Sequence, residues 1–338
     1  MFIDESYIER VPLKKVPRGQ QRVARLLQFM YRWPEKTEIV LEGLDNLPAD
    51  RSVILALNHT DRYNYWPLQY ELHHRQCARY TVAWVKAKYY QNKMLAQFFD
   101  QCNNLPLPSR GYFILKDAQE TLGRRLEKEE YRFLRALCDL KIERSPETEK
   151  IEKGIAPIFE KARRDFSPSA ESYVCFMNRW CDRVMALVER RSLESLYDCE
   201  KHLLVFPQGT RSRRLLPAKT GVLQFALKHA IPVVPVGSNG CENIYPGASP
   251  WPSGGRVVYR IGKMLTHNDM FKECSLPKEF RPFTNDAQAH KDTLERAAHA
   301  LTGAIDELLD PPYRMDSSSC YSSSLDSESP ESHYARLL

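Results

Sequence analysis

His59 stands in the run Leu57-Asn58-His59-Thr60-Asp61-Arg62-Tyr63-Asn64, directly behind the apolar stretch 52–57. An imidazole at the end of a strand is a candidate general base, because it can change charge near neutral pH and a loop edge gives substrate access. A lone histidine is more often structural, so its weight depends on what surrounds it. Three further segments carry anion chemistry. The extended stretch Asn104-Leu105-Pro106-Leu107-Pro108-Ser109-Arg110-Gly111 ends in an arginine, whose planar fork suits phosphate. The stretch Phe206-Pro207-Gln208-Gly209-Thr210-Arg211-Ser212 breaks from a strand into a glycine-containing turn that carries an arginine and two hydroxyls. Backbone donors in such a turn, with Arg211 beside them, form an anion cradle. Lys219-Thr220-Gly221 then leads into a helix and on to the apolar run 231–236.

The elements that must hold these residues read as α/β. Short β-rich runs at 38–41, 52–57, 80–85, 203–206, 233–236 and 257–261 are separated by helical patterns at 66–75, 89–101 and 221–229. That alternation predicts a mixed or parallel sheet flanked by helices. Residues 112–200 are charged and helix-rich, with two amphipathic runs separated by prolines, and read as a helical insertion in a domain spanning 38–312. Residues 313–338 are dominated by serine and acids, a composition that cannot bury enough apolar area to order itself, and are expected to be a disordered tail.

Residues 1–37 form a basic amphipathic segment. From Arg10 to Arg32 there are seven basic residues and no acid. Val23, Leu26, Leu27 and Met30 follow helical spacing, with Arg22, Arg25 and Arg32 off that stripe and Pro34 ending the helix. Such a helix packs on its own domain or presses onto anionic lipid. On the second reading, removing residues 1–34 releases the protein from membranes and leaves the fold intact.

Composition narrows the partners. The net charge of +6 favours an anionic one. No aromatic-interleaved or base-reading motif points to nucleic acid. Apolar runs fall far short of the ~20 residues that span a bilayer, and the acidic start lacks the pattern of a signal peptide. Nine cysteines without paired short spacings fit reduced thiols in a cytosolic setting. His73, His74 and Cys77 suggest half a metal site but nothing completes it, so they read as helix surface and core.

In their order, the four segments resemble the blocks of the lysophosphatidate (1-acylglycerol-3-phosphate) acyltransferase superfamily: NHxxxxD, an extended segment ending in Arg, FPEGTRS, and an IPVVPV-like strand. The resemblance covers about residues 38–111 and 200–262. It implies that His59 takes a proton from an acceptor hydroxyl as that oxygen attacks an acyl thioester. Asn64 matches the residue that orients the histidine. Arg110 and Arg211 match the phosphate-binding surface, with Gln208, Gly209, Thr210 and Ser212 in the turn beside them and Lys219 close by. The donor would be acyl-CoA or acyl-carrier protein and the acceptor a lyso-lipid or other phosphate-bearing hydroxyl. The protein would be peripheral on the cytoplasmic face of a membrane, with no metal or organic cofactor. Two positions depart from the pattern: Asn64 replaces Asp and Gln208 replaces Glu. An amide can orient an imidazole but cannot support its positive charge. Asp61 is a nearby alternative partner, and a non-catalytic lipid- or acyl-carrier-binding derivative is the alternative function.

Overall fold

In the computed structural model, residues 3–75, 79–139, 141, 145–269 and 271–316 are described. The chain opens with α1 (Glu5–Arg10) and α2 (Arg18–Met30), then β1 (Thr37–Glu42), β2 (Ile54–Leu57), α3 (Trp66–His74) and β3 (Thr81–Lys86). It continues through α4 (Lys93–Gln101), β4 (Leu105–Leu107), α5 (Arg110–Leu122), α6 (Lys128–Cys138), α7 (Pro146–Gly154), α8 (Pro157–Glu160) and α9 (Tyr173–Tyr197). The last part holds β5 (His202–Val205), α10 (Gly221–Lys228), β6 (Val233–Asn239), α11 (Cys241–Ile244), β7 (Gly255–Ile261), α12 (Asp286–Ala289) and α13 (Lys291–Asp306).

Seven strands form one sheet in the order β1-β7-β6-β2-β5-β3-β4. From β6 to β4 every pairing is parallel. β7 runs antiparallel to β6, and β1 follows β7 in parallel, so the sheet is mixed. The central strands are buried on both faces, which is why 54–57, 203–205 and 233–236 read as apolar runs. Side-chain alternation splits them between two cores. Leu55, Leu57, Leu204, Val234 and Val236 pack under α2 and α3 with Leu27, Met30, Leu68 and Leu72. Ile54, Ala56, Leu203, Val205 and Val233 face the other side, where Phe113, Leu134, Phe176, Trp180, Phe225 and Leu294 lie on α5, α6, α9, α10 and α13. Each fully buried aliphatic of this kind stabilises the fold by about 1.5–3 kcal/mol.

The stretch 112–200 forms α5 to α9, and α9 is capped by Ser172, whose side chain accepts from the Cys175 amide. Much of this segment belongs to the second core, directly beneath the sheet.

The first 34 residues are not an appendage. Ile3, Tyr7, Ile8 and Val11 are core residues. The Ile3 amide donates to the Tyr112 hydroxyl at 3.0 Å, and Tyr7 donates to Asp100 at 3.0 Å. Gly19 packs against the Gln101–Cys102 backbone so closely that a Cβ would come within 2.5 Å of it. Leu27 and Met30 are buried, whereas Leu26 of the same sequence stripe is exposed. This packing argues against the expectation that 1–34 can be removed with the fold intact. At the other end, Tyr313 is buried, donates to Glu242 at 2.7 Å, and its carbonyl accepts from the Leu215 amide at 2.8 Å. The rest of the serine-rich tail, from 317, lies outside the described residues, as does Cys77.

Candidate active site

Strands β2 to β6 end at one edge of the sheet, and the catalytic candidates collect where β2 and β5 end. The chain leaving β2 is clamped first by Asn58. Its amide donates to the Ser238 carbonyl at 3.0 Å and accepts from the Ser238 amide at 2.7 Å, extending the pairing of β2 with β6 by one side chain. His59 then turns over the start of the 206–212 loop, its ring stacked on Phe206 at 4.0 Å between centroids.

Asn64 completes the arrangement. Its Nδ2 lies 2.7 Å from the Asn58 carbonyl, which can only accept, so that nitrogen donates. This fixes the other end of the amide: Oδ1 faces His59 Nδ1 at 3.2 Å and must accept from it. The proton is therefore on Nδ1, and Nε2 keeps its lone pair. Asn64 is fully buried, and its own carbonyl accepts from the Tyr259 hydroxyl at 2.6 Å. The geometry is that of a base held in one tautomer.

Burial under Phe206 lowers the His59 pKa to about 4; the bond to Asn64 opposes this, and the charges of Arg211 and Lys86 add to it. At neutral pH the imidazole is uncharged and able to accept a proton. Lys86, the last residue of β3, was not foreseen. As the polar end of the TVAWVK run it marks the same sheet edge as His59, and that was its available signal.

Gln208 sits elsewhere than its sequence role suggests. It is buried, accepts from the His59 amide at 3.3 Å, and donates to the carbonyls of Thr210 at 2.9 Å and His59 at 3.4 Å. The Ser212 amide donates to the His59 carbonyl at 2.9 Å. Gln208 and Ser212 thus lock the 206–212 turn to the histidine backbone. Gly209 takes φ +71°, a conformation that favours glycine, and the Lys219 stem lies across it with Cδ and Cε 3.3 Å from where a Cβ would stand. Thr210 is exposed. Arg211 and Lys219 bring positive charge to the turn beside the base, and the Arg211 charge acts on His59.

Two candidates are not brought to the imidazole. The Asp61 carboxylate accepts from the Tyr63 amide at 2.8 Å and the Thr60 hydroxyl at 2.9 Å. Its burial raises its pKa, and it faces Cys241 and Glu242. Arg110, at the start of α5, pairs with Asp139 at 2.7 Å and donates to Asn285 at 2.9 Å. Its fork is occupied by these partners.

A cavity of about 440 Å³ opens on the α2–α3 side, lined by Ala24, Leu27, Tyr65, Trp66, Gln69 and Phe98 among others. Tyr65 meets Phe206 edge-on at 6.1 Å, and Phe206 supports His59. Phe206 thus stands between Tyr65 on the cavity wall and the His59 ring.

An α/β sheet that presents a neutral, oriented imidazole beside a cationic turn is suited to base-catalysed chemistry at a hydroxyl. Residues 141–239 match the acyltransferase family model. The matched stretch begins just before α7 and ends with β6, so it includes the 206–212 turn and extends into the predicted insertion. No curated protein matches the sequence. Among solved structures, the crystal structure of the 1-acyl-sn-glycerophosphate (LPA) acyltransferase PlsC from Thermotoga maritima is similar at 16% identity, over 84% of this chain and 78% of that one, with a TM-score of 0.38.

Proposed function

We propose that the protein moves an acyl chain from a thioester, acyl-CoA or acyl-carrier protein, to a hydroxyl of a lysophospholipid or glycerol-phosphate-type acceptor, at the cytoplasmic face of a membrane. The observation that carries this reading is the Asn58–Asn64–His59 relay, which leaves Nε2 as the only acceptor of the ring. His59 Nε2 takes the hydroxyl proton as the acceptor oxygen bonds to the thioester carbonyl carbon. The tetrahedral intermediate collapses with cleavage of the C–S bond, and the thiolate leaves with the proton returned by the imidazolium. Arg211 and Lys219 supply positive charge for an acceptor phosphate. The cavity bounded by Tyr65 falls within the ~300–1,000 Å³ of small-molecule sites, and its apolar wall of Ala24, Leu27, Trp66 and Phe98 suits the methylenes of an acyl chain. Among the described residues no helix is long and apolar enough to cross a membrane. Membrane association on this reading is therefore peripheral for the described part of the chain.

The test is thiol release from acyl-CoA by purified protein, with and without lysophosphatidate. Release that depends on the acceptor and disappears in His59→Ala supports transfer. A second reading, binding without turnover, is favoured by the two amides, which give the imidazolium no anionic partner. Tight acyl-CoA binding with no thiol release would establish it.

A further inference from the structure

We infer that the sheet edge carrying His59 is itself the membrane-docking face, through an apolar collar supplied by α2 and the turn after it, α4 and the loop before β7. The collar is distinct from the sequence stripe on α2, since Leu27 and Met30 of that stripe are buried in the protein's own core. Its members are Leu26, Phe29, Trp33, Met94, Leu95 and Trp251, each 41–81% exposed.

Sheet direction places them. β2, β5 and β3 end at the His59 edge, and β7 runs antiparallel to β6, so β7 and its parallel neighbour β1 begin there. Trp33 lies four residues before β1 and Trp251 four residues before β7; Gly254 and Glu35 are in contact between them. α2 starts against the far end of α4, where Gly19 meets Gln101, and runs toward this edge until Tyr31 accepts from the Thr37 amide. Leu26 and Phe29 are exposed on α2 and Trp33 follows in the turn beyond Met30, its amide donating to the Phe29 carbonyl at 3.1 Å and its ring meeting that of Phe29 at 5.8 Å. α4 begins just beyond Lys86, the strand end whose charge acts on His59, which puts Met94 and Leu95 on the same rim.

The charge around the collar selects an anionic bilayer as its occupant. Arg25, Arg32, Arg62 and Lys93 are exposed around it, against Glu35 and Glu38, and Glu38 faces Arg256 at 3.8 Å. Tryptophans beside arginines favour the headgroup layer, where the ring is half-solvated and the cation meets phosphate. The inference rests on the acyl-transfer reading only in what the bilayer delivers: with the edge against lipid, an acceptor reaches His59 without leaving the interface.

The experiment uses the full chain and vesicles of phosphatidylcholine with about one third phosphatidylglycerol. The double variant Phe29→Ser/Trp33→Ser should partition at least about tenfold more weakly, and Arg25→Gln/Arg32→Gln about tenfold more weakly at low salt. Unchanged melting temperatures confirm that both variants fold. In the unaltered protein, lipids brominated in the acyl chain should quench tryptophan fluorescence, with the quenching reduced in Trp33→Ser and in Trp251→Ser. Variants that partition like the parent, or fluorescence indifferent to brominated lipid, overturn the docking face. Thiol release with a water-soluble short-chain acceptor, measured without vesicles, tests the catalytic reading separately: its absence sinks transfer while the vesicle result stands.

Discussion

Asn64 does two things at once, and a carboxylate could do only one of them well. Its oxygen takes the His59 Nδ1 proton while its nitrogen holds the Asn58 carbonyl. In Asn64→Asp an oxygen would face that carbonyl at about the same 2.7 Å. A buried bond is lost and a repulsion replaces it, a cost of about 1–3 kcal/mol. The sequence pattern alone suggests that Asn64→Asp preserves or raises activity; the hydrogen-bond wiring predicts a less stable protein with lower turnover, measurable by thermal melting and thiol release. Its pH profile is the sharper readout. In the parent, activity should be flat through neutrality and fall only toward pH 4, as His59 becomes protonated. An anion at 64 favours the imidazolium and should move that midpoint upward. Gln208→Glu should lower turnover by a parallel route, since it removes the donor to Thr210. The positions of His59 and Arg211 were legible from residue types and order. The role of Gln208 was not, because spacing shows that a side chain lies in a turn but not that it folds back onto the backbone.

At the scale of elements, the buried strands were readable because a parallel sheet covered on both faces leaves little room for polar residues. β4 was harder: three residues with a central proline, Leu105–Leu107, read only as an extended segment. α1 went unforeseen because six residues beginning with an acid show little periodicity, and its docking on the far-off α9 is a tertiary fact. Two predictions belong here. Deleting residues 1–34 should give an insoluble or unfolded product, since Ile3, Tyr7, Ile8, Leu27 and Met30 leave the core together; a cooperative melt in the truncated chain would contradict this. Ala24→Trp, on the cavity wall, should shift donor preference toward shorter acyl chains, with a loss of about tenfold or more for long ones, read as kcat/KM across a chain-length series.

For the whole molecule, acid is the relevant stress. His202 is fully buried in the sheet, and burial lowers its pKa to about 4, with the charge of Arg79 adding to the effect. Its Nδ1 accepts from the Val53 amide at 3.2 Å, a role open only to the neutral ring. Between an unfolded value near 6.5 and the folded value near 4, the unfolded chain binds the extra proton, so stability falls as pH drops through that window. The loss approaches about 3 kcal/mol for this residue, and His59 adds to it. Denaturant midpoints measured from pH 7 to pH 4 should fall steeply, and His202→Asn should flatten part of the slope. A parent protein equally stable at both ends would refute the assignment.

The sheet order also sets a timetable for synthesis. β2, which carries His59 at its end, pairs with β5 and β6 and with no strand made earlier. Residues 54–57 emerge from the ribosome well before 202–205 and 233–239 exist. At about 5–20 residues per second the delay is on the order of ten seconds or more. Throughout it an apolar strand waits without a partner, and α1 waits for α9. Any nascent chain stopped short of β6 keeps the central strand incomplete. Such a chain should be held by chaperones or degraded, and the folded protein should appear only once β6 has been made.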